Sequence, residues 1–449
     1  MPAWLGPERL ASAAFRDSLG VAGVTSLRFP GGSWSNDYDW LACEQRSDDG
    51  CFWTWAARPS DFVDLMAGTG LPAIWTLSVN ETAQQAAAAV AFFNGDLDDE
   101  RVIGVDRNGV DWGRVADWSR LRADGGHPDP VRIDTWEFGN EVFGGRPSGG
   151  EQCADFGWEN TWTCDGTEYM DGDADHDGYL AVRAAMLEVD PDIRVGAVGV
   201  PDPSAWSDWG NEVISAGGDD LDFYVIHQYG FDSSPDAAAA TSKPGEMWPA
   251  VVGAARTALP DGVPIAVTEY NLVSFESGDT ERVMTTATNA LYLADSLGRL
   301  ATEGVTAANH WNFANGVTPS GTDYGLIDAD GGEPYPTFHA FELWSRAGRE
   351  LLTVESENPD DRTAVHATRR DDGSLAIVVL RLDPAPAEIT IDIDGIGPAA
   401  EPTWSSWVPD DPDARAMKQS GPESVPLDDG RLTVSVQPWS MNLVEVPRG

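Results

Sequence analysis

From residue 8 to about 345 the chain alternates between helix-like and strand-like segments, and this alternation constrains the fold more than any other feature. Strands separated by helices cannot close as hairpins, so they lie parallel in a sheet covered by helices. Ser26–Phe29, Ala73–Asn80, the run from Ile133 to Glu141, Arg194–Gly199, Phe223–Tyr229, Pro264–Tyr270 and Ala307–Phe313 read as strands. Helical patterns over Glu8–Leu19, Pro59–Gly70, Thr82–Phe93 and Tyr179–Val189 lie among them. The reading is α/β, a (β/α)8 TIM barrel, but with seven strands rather than eight. The chain opens on what reads as the helix after the first strand, so the first strand is expected to be missing from the chain start. After Arg349 alternating strands such as Leu375–Leu380 and Glu388–Ile393 follow one another with only turn signals between them. That texture predicts an all-β sandwich. The expected domains are a barrel over 1–345 and a C-terminal β-sandwich over 346–449.

Two of the barrel segments end on a glutamate. Ile133-Asp-Thr-Trp-Glu-Phe-Gly-Asn140-Glu141 and Ile265-Ala-Val-Thr-Glu269-Tyr-Asn271 each bring a carboxylate to a strand's C-terminal end. In a (β/α)8 barrel that face collects the catalytic residues. Retaining hydrolysis of glycosides needs two carboxyl groups, one as acid/base and one as nucleophile, about 5–5.5 Å apart. Two surface glutamates at strand ends are the bland alternative in so acidic a chain. The pair in order and in context favours catalysis.

The formal net charge is −46, with two lysines, Lys243 and Lys418, among 28 basic residues. The carboxylates are spread along the whole chain rather than gathered in a tail. Such self-repulsion strains a compact fold in dilute buffer and is screened at high salt. A salt-adapted, halophilic protein is expected. No basic patch is available to neutralise phosphates, which argues against nucleic acid as a partner. No stretch approaches the ~20 apolar residues of a membrane span. Four cysteines fall as local pairs, Cys43/Cys51 and Cys153/Cys164, without zinc spacing. Two short disulfide-closed loops, and hence an oxidising compartment, are the expectation, with inert free thiols as the alternative. No leader is visible in Met1-Pro-Ala-Trp-Leu-Gly6, so an extracellular, secreted protein would carry its leader outside this chain.

The blocks Leu27-Arg28-Phe-Pro-Gly-Gly-Ser33, Val79-Asn80 with Phe92-Phe-Asn94-Gly95, Trp136-Glu-Phe-Gly-Asn-Glu141, Ile226-His227-Gln-Tyr229 and Tyr335–Leu343 carry a family resemblance. Together they resemble clan A of the glycoside hydrolases, and within it most closely family fifty-one, the α-L-arabinofuranosidases. The resemblance spans nearly the whole chain. It implies Glu141 as acid/base, Glu269 as nucleophile, and an oligosaccharide or polysaccharide substrate with no cofactor required. It also implies that Arg28 hydrogen-bonds the nucleophile, that Asn140 binds the sugar 2-OH, and that His227 and Tyr229 face the site. Trp311 would form a floor under the sugar. Two family features are absent. The first strand's sugar-binding carboxylate has no counterpart, and Val273 and Ser274 stand where a tryptophan follows the nucleophile. Other clan A activities (β-xylosidase, β-glucuronidase, endo-glucanase) therefore stay open, as does a non-catalytic polysaccharide-binding protein.

A raised pKa is expected for Glu141, since an acid must hold its proton at working pH. Glu137 shares strand parity with Glu141 and reads as an interior structural carboxylate. Asp173-Ala-Asp175-His-Asp177-Gly178 matches the first half of a calcium loop, although the twelfth position is Ala184 rather than Glu. Calcium on Asp173, Asp175 and Asp177 is left open, and no other metal is expected.

Overall fold

The computed structural model describes residues 1–47, 51, 53–145, 157–357, 362–393 and 401–448. Seven parallel strands form the barrel wall: β1 Leu27–Phe29, β2 Ala73–Leu77, β3 Thr135–Phe138, β4 Arg194–Val198, β5 Phe223–Phe231, β6 Ile265–Val273 and β7 Ala307–His310. They pair in sequence order from β1 to β7. Helices between them, such as Pro59–Thr69, Ala83–Asn94, Tyr179–Val189 and Ala287–Thr302, cover the outside. Trp75 shows how tightly the two layers mesh. Its ring meets Phe29, Phe62 and Phe93 at centroid distances of 5.5, 5.9 and 4.8 Å.

Some of the resemblance blocks prove to be structural. The Asn94 side chain donates to the Ile133 carbonyl at 2.9 Å and accepts from the Ile133 amide at 2.8 Å. This two-bond clamp fixes the entry to β3, the strand leading to Glu141. A side chain on Gly95 would meet the Ala91 carbonyl at 2.5 Å and Ser119 Oγ at 2.6 Å, so only glycine fits.

The seven strands are those read from the sequence, and no eighth strand lies between β7 and β1 among the described residues. A cavity of about 240 Å³ runs there, lined by Ser26, Leu27, Asn309, His310 and Trp311 among others. Both His310 ring nitrogens and Asn309 Oδ1 lack hydrogen-bond partners. Burial pushes the His310 pKa down to about 3. Residues 1–3 run beside the upper end of β1. The Met1 ammonium donates to the Arg28 carbonyl at 2.7 Å and the Ala3 amide to the Pro30 carbonyl at 2.9 Å.

The C-terminal part is antiparallel. A six-stranded sheet has the order β13-β12-β15-β10-β9-β8, and a two-stranded sheet pairs β11 with β14. Their ranges are β8 Glu350–Leu352, β9 Thr363–Arg369, β10 Leu375–Arg381, β11 Ala387–Asp392, β12 Thr403–Val408, β13 Lys418–Ser424, β14 Arg431–Val436 and β15 Ser440–Val446. The unbroken apolar run of β10 follows from burial on both faces. Leu375, Ile377 and Val379 pack with Leu432, Val434 and Val436 of β14, whereas Ala376, Val378 and Leu380 join the barrel's core. His366 of β9 holds Asp295 of the helix Ala287–Thr302 at 2.9 Å, both buried.

Cys43 and Cys51 form a disulfide, closing the loop after β1 as expected. The second expected pair includes Cys153, which lies outside the described residues. Among the described residues no helix is long and apolar enough to cross a membrane.

Candidate active site

The two glutamates meet at the C-terminal mouth of the barrel. After β3 the backbone turns sharply, with Gly139 at φ 84° and Glu141 itself at φ 43°. A side chain on Gly139 would strike Val142 at 2.6 Å, so glycine is required before the turn. Glu141 is thus not the last residue of a strand but sits on a left-handed corner, a strained conformation for a non-glycine residue. Strain of this kind clusters at functional sites. Glu269 stands within β6. One carboxylate oxygen of each, together with a His227 ring nitrogen, lies within a 4.8 Å circle. Among the described residues these three are also the only cluster of His, Cys, Asp or Glu donors close enough to chelate an ion.

A register shift between Ile226 and His227 places His227 opposite Glu269 on the neighbouring strand. His227 Nδ1 lies 3.0 Å from Glu141 Oε1 and 3.8 Å from Glu269 Oε2, and Nε2 is 3.1 Å from Thr268 Oγ1. Two residues on, the Tyr229 hydroxyl donates to Glu269 Oε1 at 2.6 Å. Arg28, fully buried, spreads its guanidinium over three acceptors. Nη1 reaches Glu269 Oε2 at 3.3 Å, Nη2 reaches Asn140 Oδ1 at 2.9 Å, and Nε reaches Glu137 Oε2 at 2.7 Å. Glu137 also accepts from Thr76 at 3.0 Å, which makes it the interior anchor of Arg28. Trp311, just beyond the end of β7, meets the Trp4 ring edge-on at 5.8 Å. Its backbone is fixed by the Asn271 side chain, which donates to the Trp311 carbonyl at 2.6 Å. The Pro30-Gly31-Gly32 motif makes room for its ring, since a side chain on Gly32 would come within 2.5 Å of it. Six of the seven residues singled out in the sequence are thus joined by direct contacts, and Trp311 lies against the glycine turn that follows β1.

Three contributors went unseen: Trp158, Glu159 and Asn36. The stretch after Glu141 reads in sequence as an undifferentiated insertion, yet it returns Trp158 and Glu159 to the site. Trp158 Nε1 donates to Glu141 Oε2 at 2.8 Å. Glu159, 2 % exposed, accepts from Ser33 Oγ at 2.7 Å, Asn36 Nδ2 at 2.6 Å and Asn140 Nδ2 at 3.0 Å. Asn36 also brackets the Asn140 backbone, accepting from its amide at 3.1 Å and donating to its carbonyl at 2.8 Å. The only sequence signal was the Gly144-Gly145 pair. A side chain on Gly144 would collide with the Trp158 ring, and Gly145 bridges to Glu159.

Burial raises both glutamates, and what they touch separates them. For Glu141 burial is outweighed by His227 and by the Trp158 indole, which leaves its pKa below the usual carboxylate value when the imidazole is charged. For Glu269 burial and the Glu141 charge prevail over His227, Arg28 and Tyr229, so its pKa is raised. The free site therefore inverts the expected order, because the imidazole sits nearer Glu141. Glu159 is pushed up to about 8, first by burial and then by the Glu141 charge.

The Asp173–Asp177 loop stands apart from this constellation. Arg107 Nη2 donates to the Asp173 carbonyl at 3.2 Å and Nη1 to Asp177 Oδ1 at 3.3 Å. Asp177 Oδ2 accepts from the Ala83 amide at 2.9 Å, at the start of a helix. The two Asp177 carboxylate oxygens are thus engaged by an arginine and a helix N-terminus.

No family model matches the chain. A β-xylosidase of Geobacillus stearothermophilus is 32% identical over 129 residues, 27% of this chain and 23% of the relative. The chain thus matches less than a quarter of that relative's length. Among solved structures, the thermostable GH51 α-L-arabinofuranosidase of Thermotoga petrophila RKU-1 superposes with a TM-score of 0.74 at 21% identity. That match covers 97% of this chain and 91% of the other. The arabinose complex of the α-L-arabinofuranosidase of Thermotoga maritima gives 0.71 at 20%, covering 96% and 89%. The fold is shared with the GH51 α-L-arabinofuranosidases. It extends through both the barrel and the β-sandwich.

Proposed function

We propose that the protein is a retaining glycoside hydrolase acting on plant-type oligosaccharides or polysaccharides, with α-L-arabinofuranosidase as its activity. One observation carries this reading: a buried and a half-buried carboxyl group with an oxygen of each within 4.8 Å at the mouth of a parallel barrel. Inverting enzymes hold the groups about 6.5–9.5 Å apart to admit a water, so the spacing here fits direct attack. Glu269, held by Arg28 and Tyr229, attacks the anomeric carbon. Glu141 protonates the departing oxygen, then takes a proton from the water that releases the glycosyl-enzyme. Asn140, held by Arg28, Asn36 and Glu159, binds the sugar 2-OH in this reading.

The protonation order needed for turnover follows from the histidine tautomer. With Nε2–H donated to Thr268 Oγ1, a neutral His227 presents Nδ1 as an acceptor. Protonated Glu141 then donates to it across the same 3.0 Å. The proton sits on Glu141, while Arg28 and Tyr229 carry the charge of Glu269.

Aryl glycosides of α-L-arabinofuranose, β-D-xylopyranose, β-D-glucuronic acid and β-D-glucose, assayed with retention read by NMR of the first product, test the reading. Retained arabinose release supports it. Release of xylose instead would move the activity toward that of the β-xylosidase relative, and inversion would sink the mechanism.

We also infer a secreted protein in a salt-rich medium, supported by the Cys43–Cys51 disulfide and the −46 charge. Repulsion among carboxylates reaches about 30 Å at 0.01 M salt and about 3 Å at 1 M. The melting temperature at neutral pH is expected to climb from dilute to molar sodium chloride. A flat or falling curve would reject salt adaptation.

A further inference from the structure

The loop after β1 carries a group of indoles that hydrolysis at the glutamate pair does not use. Trp34 and Trp53 stack face to face, with centroids 3.6 Å apart and planes 3° from parallel. Trp55 meets Trp34 edge-on at 5.6 Å, and Trp4 meets it at 4.9 Å from the other direction. Trp4 in turn touches Trp311, at 5.8 Å. A continuous path of aromatic rings thus leads from Trp311 to Trp55, which is 56% exposed. Tryptophan is rarely left so open, because its ring carries one of the largest apolar surfaces of any side chain.

The rings are held in place before any ligand arrives. The Cys43–Cys51 disulfide closes the loop, and Tyr38 bridges to Cys51. Arg46 donates to the carbonyls of Thr54 and Ala56 on either side of Trp55. The Ala57 amide donates to the Ala3 carbonyl at 2.9 Å, tying the loop to the Trp4 segment. A preorganised apolar ring loses little conformational freedom on binding.

We propose that Trp55, supported by Trp34 and Trp53, is a stacking subsite for a neutral polysaccharide chain extending beyond the sugar that is cleaved. Sugar rings offer apolar C–H faces that stack on indoles, and the hydroxyl edges stay in water. The chain's −46 charge selects against anionic glycans and leaves uncharged ones, such as a pentose backbone. Continuity with Trp311 sets the occupant as the remainder of the substrate, and the inference rests on the hydrolase reading in that respect.

The test compares wild type with Trp55→Ala and Trp55→Tyr in molar sodium chloride. Affinity electrophoresis through gels containing soluble arabinoxylan or a neutral β-glucan reads binding without turnover. Wild type should be retarded by at least one of them, Trp55→Ala should migrate as in a polysaccharide-free gel, and Trp55→Tyr should recover most of the retardation. In kinetics on arabinoxylan, Trp55→Ala should raise KM about fivefold to tenfold with kcat unchanged, the scale of one lost aromatic contact. Turnover of an aryl α-L-arabinofuranoside should stay within about twofold, since that substrate does not reach Trp55. Wild type unretarded by either polysaccharide, or retarded equally in Trp55→Ala, overturns the subsite. Equal losses on polymer and aryl substrate also overturn it, since they would mark Trp55 as loop packing. Retardation lost in Trp55→Ala in a protein that cleaves none of the aryl glycosides would uphold the subsite while the hydrolase reading fell.

Discussion

Glu269→Ala is expected to lower turnover by on the order of 10⁵-fold or more on every substrate, the scale of losing a covalent nucleophile. Added azide or formate should restore part of it. The vacated space lies beside Arg28 Nη1 and the Tyr229 hydroxyl, two donors that would hold a small anion where Glu269 stood. The rescued product should carry the anomeric configuration opposite to the wild-type product, because one displacement replaces two. Glu141→Ala should behave differently. Natural substrates need a protonated leaving group and should lose about 10²–10⁴-fold, whereas aryl glycosides with acidic phenols should lose far less in the first step. Side-by-side kinetics on both substrate types, with and without azide, read the two roles. Equal losses on both types in Glu141→Ala would exchange or remove the assignment.

The second large effect concerns the buried cation beneath the pair. Arg28 is held in its charged form by Glu137 and Glu269 despite its burial. Each of its three nitrogens serves a different acceptor, a geometry that lysine's single ammonium cannot reproduce. Arg28→Met should therefore destabilise the fold by about 3–5 kcal/mol, since it leaves buried carboxylates without a counter-charge. It should also raise the Glu269 pKa further, so that any residual activity moves to higher pH. Adding Glu137→Gln should recover much of the stability, because one uncompensated charge disappears, but little activity, because Glu269 still lacks its partner. Denaturant unfolding at fixed molar salt measures the first effect and pH–rate profiles the second. Stability within about 1 kcal/mol of wild type in Arg28→Met would show that the cluster is less charged than its geometry implies.

What the sequence determined by itself was local and periodic. The βα alternation fixed a parallel barrel, and the apolar alternation after Arg349 fixed an antiparallel sandwich, because both patterns follow from the spacing of side chains along one element. Glu141, Glu269, Arg28, Asn140, His227, Tyr229 and Trp311 were legible because each lies on or just beyond a strand, where chain position dictates which end of the barrel it reaches. Tertiary structure alone decided the rest. Trp158 and Glu159 approach Glu141 and Asn140 from a loop with no periodicity to betray its path, held by contacts with Gly144, Gly145, Ser33 and Asn36. The proton order of the glutamate pair was equally hidden, since it depends on a register shift in β5 that seats His227 closer to Glu141 than to Glu269. Spacing along a chain locates a side chain on its own element. Distances between elements, and the electrostatics they govern, exist only once the chain has folded.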